Sequence, residues 1–247
     1  ATPSAPISRH RTPEPPPGTA LKIAALRTQV VHLPLPKPSR AAIFEIRSAD
    51  CVLVWLDTDQ GLTGEGLVFA LNGRGLPVIH QMIRSLEPLL LGLDPTLAGR
   101  FHQRAWTELN FLGHSGVSIL GLAAIDNALL DLRAKACGLN VARLLGAVAT
   151  AIPTYASGGL WLSSSIDELQ NEADAFRAQG FRAMKARIGN RDHHGDVARI
   201  RALRAAIGPD IRLMVDANQQ MTPPQALRMG RALEEFDLTW FEEPLPY

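Results

Sequence analysis

The spacing of apolar and polar positions changes character once along the chain. Residues 22–32 and 42–47 read as strands, separated by a Pro-containing loop at residues 33–40. The segment CVLVWLDTDQGLTGEGLVF then reads as a hairpin. Residues 51–56 are one arm, Asp59-Gln60-Gly61 the turn, and Leu67-Val68-Phe69 lie in the other arm. Helical spacing follows. Residues 77–90 are amphipathic, and Asp94 caps a helix that has Pro95 at its first position. Residues 117–137 form a longer Ala- and Leu-rich helix that ends at Gly138. Strands followed by helices predict an α+β domain.

After Gly146 the two periods interleave. Strands are expected at residues 152–155, 181–188, 211–215 and 238–241, with helices at 165–179 and 194–207 and a further one opening at Thr222. Two of the helices carry capping boxes, Ser165-x-x-Glu168 and Thr222-x-x-Gln225, and Gly180 and Gly208 follow helix ends. A β-α-β-α-β-α-β order at this spacing means a parallel sheet, either doubly wound or closed into a barrel. Gly158-Gly159 is followed by Leu160-Trp161-Leu162 and not by a glycine-opened helix, so a dinucleotide fold is poorly supported.

Composition narrows the function classes. With 247 residues, 46% hydrophobic, 20% charged and a net charge of +1, the chain has the balance of a globular protein. No basic surplus is available for nucleic acid. No apolar run is long enough to span a bilayer. The first eighteen residues lack an apolar signal region, and Pro15 to Pro17 favour a disordered arm over residues 1–20, with a transit peptide as the alternative. Cys51 and Cys137 form no metal-type pattern, which points to a reduced, cytoplasmic location.

The chemistry gathers at strand ends. Lys185 and Arg187 close one strand, Asp216 and Asn218 the next, and Glu242 and Glu243 the last. Lys185 and Arg187 are two apart and project from one side of their strand. Two acids on neighbouring strands, beside cations, suit a hard metal such as Mg²⁺ better than zinc. A salt-bridge network capping the sheet is the competing reading.

The strings GFRAMKARIG, LMVDANQ and WFEEPLP, in this order, resemble the mandelate racemase/muconate lactonizing enzyme branch of the enolase superfamily. The resemblance extends to TDQGLTGEG and AAIDNALLDLRAKACGLNVARLLG and runs from Leu21 to Tyr247. It implies an α+β capping domain (21–146) followed by a (β/α)7β TIM-like barrel, of which residues 147–247 would be the first half of an incomplete sequence. It also implies Mg²⁺ as cofactor, with Asp216 and Glu242 as metal ligands, Lys185 and Arg187 as catalytic residues, and Asn218 beside the substrate; Glu243 would be a structural ion pair. Arg187 departs from the family's second Lys. A guanidinium stays protonated above pH 12 or so, so it is a clamp rather than a base.

The capping-domain loops carry Lys37, Arg40, Asn72 and Arg74, a cationic lining expected to contact the substrate and to favour doubly charged sugar acids. The leading expectation is an acid-sugar dehydratase of the galactarate or talarate type. The alternatives are a racemase, epimerase or cycloisomerase of the same fold, a non-catalytic sugar-acid-binding protein or fragment, and, more remotely, a Schiff-base aldolase using Lys185. Expected partners are a small-molecule carboxylate and further copies of the chain, with no nucleic acid and no membrane.

Overall fold

The computed structural model describes residues 21–41, 44–190 and 192–246. The arm expected over residues 1–20, and residues 42 and 43 of an expected strand, lie outside these. Contacts divide the chain into two compact units. One comprises the chain up to Val31 with Cys51–Val68 and Gly75–Gly146; the other comprises His32–Asp50, Phe69–Arg74 and Ala147–Tyr247.

In the first unit, β1 (Ile23–Val31) runs antiparallel to the second half of β3 (Glu45–Thr58), with Leu26 opposite Leu56 and Thr28 opposite Val54. Along β3 every even-numbered residue from Ile46 to Thr58 is buried, the two-residue period of a half-covered strand. Gly61, at φ 81°, turns the chain into β4 (Thr63–Leu71). Helices α1 (Leu76–Ser85), α2 (Glu87–Leu90), α3 (Ala98–Glu108), α4 (Val117–Ala136) and α5 (Val141–Leu144) follow. Ala124, Ile125, Ala128, Leu129 and Leu132 of α4 are fully buried, which its apolar sequence requires.

Gly66 of β4 lets the strand approach α4. A Cβ there would meet the Ala128 backbone N at 2.8 Å and the Ala124 carbonyl oxygen closer still. Gly66→Ala should therefore cost about 1–3 kcal/mol through overpacking. Gly230→Ala, where a Cβ meets nothing within 4 Å, should be neutral or stabilising. Urea denaturation checks the pair, and equal midpoints for both variants would refute the close approach.

In the second unit, β5 (Ala183–Arg187), β6 (Arg212–Asp216) and β7 (Leu238–Glu242) form a parallel sheet in that order. Helix α6 (Ile166–Ala178) precedes β5, and α7 (His193–Ile207) and α8 (Pro223–Leu233) connect the strands. Met184, Ala186, Leu213 and Val215 bury one face against Leu169, Ala173, Ile200 and Leu203 of the helices. The two expected capping boxes form: Ser165 N donates to Glu168 Oε2 and Thr222 N to Gln225 Oε1, both at 2.8 Å.

The expectations over residues 33–40 and 152–155 need correction. The loop expected over residues 33–40 is a strand, β2 (Pro34–Arg40), pairing with β3 at Pro34–Ser48, Ser39–Ile46 and Arg40–Glu45. Prolines are tolerated because an edge strand need not donate on both sides. The strand expected over residues 152–155 does not form. Only a bridge from Ala156 to Met184 is present, made by Ala156 N to the Ala183 carbonyl and Lys185 N to the Ala156 carbonyl, both 2.9 Å.

Candidate active site

The parallel register brings four charged side chains to one end of the sheet. Arg187 is paired with Asp216, and Asp216 with Glu242, the last residues of their strands. Lys185 Nζ lies 2.8 and 2.7 Å from the two Glu242 carboxylate oxygens and 3.4 Å from Asp216 Oδ2. Lys185 and Asp216 are buried, and Glu242 is one-third exposed. Desolvating such groups is costly unless they pair, and these pair with one another. Burial pushes the Glu242 carboxyl up. Hydrogen bonds from Lys185 and the Trp240 indole outweigh this and hold it below the usual carboxylate range.

Arg187 is fixed from several sides. Its Nε is 3.5 Å from Asp216 Oδ2, and its terminal nitrogens donate to the Ser157 carbonyl at 3.2 Å and, more weakly, to the Lys185 carbonyl at 3.4 Å. Its guanidinium lies over the Trp161 ring, 4.8 Å from the centroid, a cation–π geometry. The loop after β5 is held by fully buried Asp196, which accepts from Gly189 N and Asn190 N at 2.8 and 2.9 Å.

Beyond Asp216 the extended backbone stops. Asn218 and Gln219 have φ of 44° and 64°, and Glu243 has 41°. Non-glycine residues in this region are strained, and such strain gathers at functional sites. Asn218 N donates to Asp216 Oδ1 at 2.9 Å, while its own Oδ1 is buried with no hydrogen-bond partner among the described residues. An orphaned buried acceptor requires a donor or cation from elsewhere. Asn218 opens, with Arg187, Gln219, Glu243 and Trp161, onto a cavity of about 210 Å³ whose remaining described lining is apolar.

The expected loop residues are placed otherwise. Lys37 donates to Glu168 at 3.0 Å. Asn72, at φ 56°, accepts from Arg47 N at 2.7 Å and donates to the Glu45 carbonyl at 2.8 Å, so its amide is spent on the start of β3. Arg40 is exposed, and its carbonyl accepts from Leu162 N at 3.2 Å. Arg74 lines a different cavity, with Glu45 and Arg47. Trp161 and Ser157 carry no motif and were not anticipated; their one signal is their place in the loop that precedes α6.

Two carboxylates at adjacent strand ends that already hold an ammonium suit a hard divalent cation. Among the described residues no group of three His, Cys, Asp or Glu side chains forms a ready metal cluster. No helix among them is long and apolar enough to cross a membrane.

Charged groups gather at the C-terminal ends of the parallel strands, where α/β enzymes commonly place their sites. Two family profiles match: "Mandelate racemase / muconate lactonizing enzyme, N-terminal domain" over residues 25–146, and "Enolase C-terminal domain-like" over residues 168–247. The chain belongs to the mandelate racemase/muconate lactonizing enzyme branch of the enolase superfamily. It is 34% identical over 90% of its length to a 3,6-anhydro-alpha-L-galactonate cycloisomerase of Streptomyces coelicolor. It is also 34% identical over 82% of its length to the L-talarate/galactarate dehydratase of Salmonella typhimurium. A crystal structure of L-talarate dehydratase from Polaromonas sp. JS666, complexed with Mg and L-glucarate, superposes with a TM-score of 0.85 at 33% identity over 92% of this chain. The chain spans 62%, 48% and 62% of the length of these three proteins respectively.

Proposed function

We propose that this protein is a Mg²⁺-dependent enzyme that removes the proton beside the carboxylate of an acid sugar, with loss of water as the outcome. Asp216 and Glu242 are the residues that would hold the metal, at the mouth of a (β/α)7β barrel to which β5, β6 and β7 belong. When bound, Mg²⁺ supplies positive charge at the substrate carboxylate, which makes its α-proton more acidic. Lys185 lies between the two carboxylates, placed to hold charge developing on the substrate oxygens. Arg187 adds a fixed cation that accepts no proton, so it steadies the enediolate and leaves proton abstraction to another group.

The single observation that carries this reading is the ion-paired cluster of buried Lys185 and Asp216 with partly exposed Glu242 at adjacent strand ends. The dehydratase relatives support water loss. The Streptomyces relative supports a second reading, isomerisation of a cyclic sugar acid through the same proton abstraction. The full chain should be incubated with a panel of acid sugars in D₂O with MgCl₂ or with excess EDTA. The expected result is Mg²⁺-dependent loss of one water to a 2-keto-3-deoxy acid, with solvent deuterium at the carbon next to the new carbonyl. A deuterium-bearing product that has lost no water would favour the isomerase, and turnover undiminished by EDTA would sink both.

A further inference from the structure

The loop that leads into α6 is held against its own local preference. Leu160 lies in it at φ 53°, a strained conformation for a bulky side chain, and is fully buried. Its backbone N donates to Glu172 Oε2 of α6 at 2.7 Å, and its carbonyl accepts from Arg187 N at 3.0 Å. Gly159 leaves room for the carboxylate: a Cβ there would meet the Glu172 carboxyl carbon at 2.7 Å. From α7, Arg199 donates to the Trp161 carbonyl at 2.9 Å and to the Ser164 carbonyl. Its Nε is buried with no hydrogen-bond partner among the described residues. Burial pushes this guanidinium below its ordinary pKa, against the opposing charge of Asp196. A desolvated cation spent on two backbone carbonyls is a costly way to fix a loop.

The loop in turn holds one side chain. The Ser157 carbonyl accepts from Arg187 at 3.2 Å, and the Trp161 ring lies 4.8 Å from its guanidinium. Asp216 alone would not fix this group, since 3.5 Å from Nε is longer than a hydrogen bond. We infer that Arg199 and Glu172 are positioning residues: from two helices they clamp residues 157–164, so that the Ser157 carbonyl and the Trp161 ring hold the Arg187 guanidinium in place. Their hydrogen bonds go to the loop, so they act at one remove from Lys185, Asp216 and Glu242. That Arg187 serves a reaction rests on the proposed function above; the clamp itself does not.

The test uses the full chain. Circular dichroism first establishes that each variant folds, and should Arg199→Met fail to, the Glu172 variants read the same clamp. Arg199→Met and Glu172→Ala should each shift tryptophan emission to the red and increase its quenching by acrylamide. Both changes should vanish on a Trp161→Phe background. Glu172→Gln, which keeps an acceptor for Leu160 N, should restore most of what Glu172→Ala loses. With MgCl₂ and an acid sugar that the parent turns over, each damaging variant should lower kcat by about 10²-fold, the cost of misplacing a group by about 1 Å. On an Arg187→Met background nothing is left to position, so the same substitutions should cost no further turnover, whereas independent effects would multiply. Unchanged Trp161 emission, or losses that multiply, would overturn the inference. A parent chain that turns over no acid sugar would remove the proposed function and leave the fluorescence to decide the clamp.

Discussion

Lys185→Met is expected to lower turnover by about 10²–10³-fold while raising the affinity for Mg²⁺. The loss follows from the removal of a preorganised cation from the point where negative charge develops, for which that range is typical. The gain follows from the ground-state contacts. Lys185 Nζ lies 2.7 Å from Glu242 Oε2 and 3.4 Å from Asp216 Oδ2, so an entering cation competes with the ammonium for both carboxylates. Methionine keeps most of the volume and the apolar stem but removes the charge. Without Mg²⁺ the variant should unfold at a lower temperature, because two partly desolvated carboxylates are left without their counterion. With Mg²⁺ much of that loss should return. Calorimetric titration and thermal melts read these quantities separately from turnover. Weaker Mg²⁺ binding in the variant would show that Lys185 supports the metal and does not compete with it.

Asp216→Asn should abolish turnover and the stabilisation by Mg²⁺ while leaving the fold intact. The fold survives because an amide oxygen can still accept from Asn218 N, the contact that holds the turn after β6 at 2.9 Å. What is lost is one of two negative charges that Lys185, Arg187 and a metal would share. At a Mg²⁺ concentration of 100 times Kd the parent protein should gain about 2.7 kcal/mol from binding, and the variant close to nothing. Circular dichroism confirms the fold and melts with and without Mg²⁺ read the difference. A variant that melts and turns over like the parent would remove Asp216 from the site.

The two predictions rest on residues legible in the chain, and the reason is local. Lys185, Asp216 and Glu242 stand at the ends of short apolar runs. A strand's two-residue period and a parallel register bring such ends together whatever surrounds them. The capping boxes of α6 and α8 are equally local, since each needs only side chains three residues apart. Where the reading failed, the deciding partner was distant. Strands are expected to end at residue 47 and begin again at residue 51, yet β3 runs unbroken through residues 48–50. Asp50 is buried there because it accepts from Leu33 N at 3.1 Å and pairs with His32. Prolines 36 and 38 signalled a loop, yet β2 forms because β3 offers it an edge.

The surroundings of the site were decided the same way. Lys37 sees Glu168, 131 positions on, and the cavity is walled by Phe44, Leu71 and Trp161 from three separate segments. By itself the sequence therefore determined which charged groups stand at neighbouring strand ends, because residue type and strand or helix period are properties of neighbours in the chain. Only the tertiary structure decided which of the loop cations reach the cavity and what lines its far end. Those contacts join residues tens to more than a hundred positions apart, and no local preference specifies them.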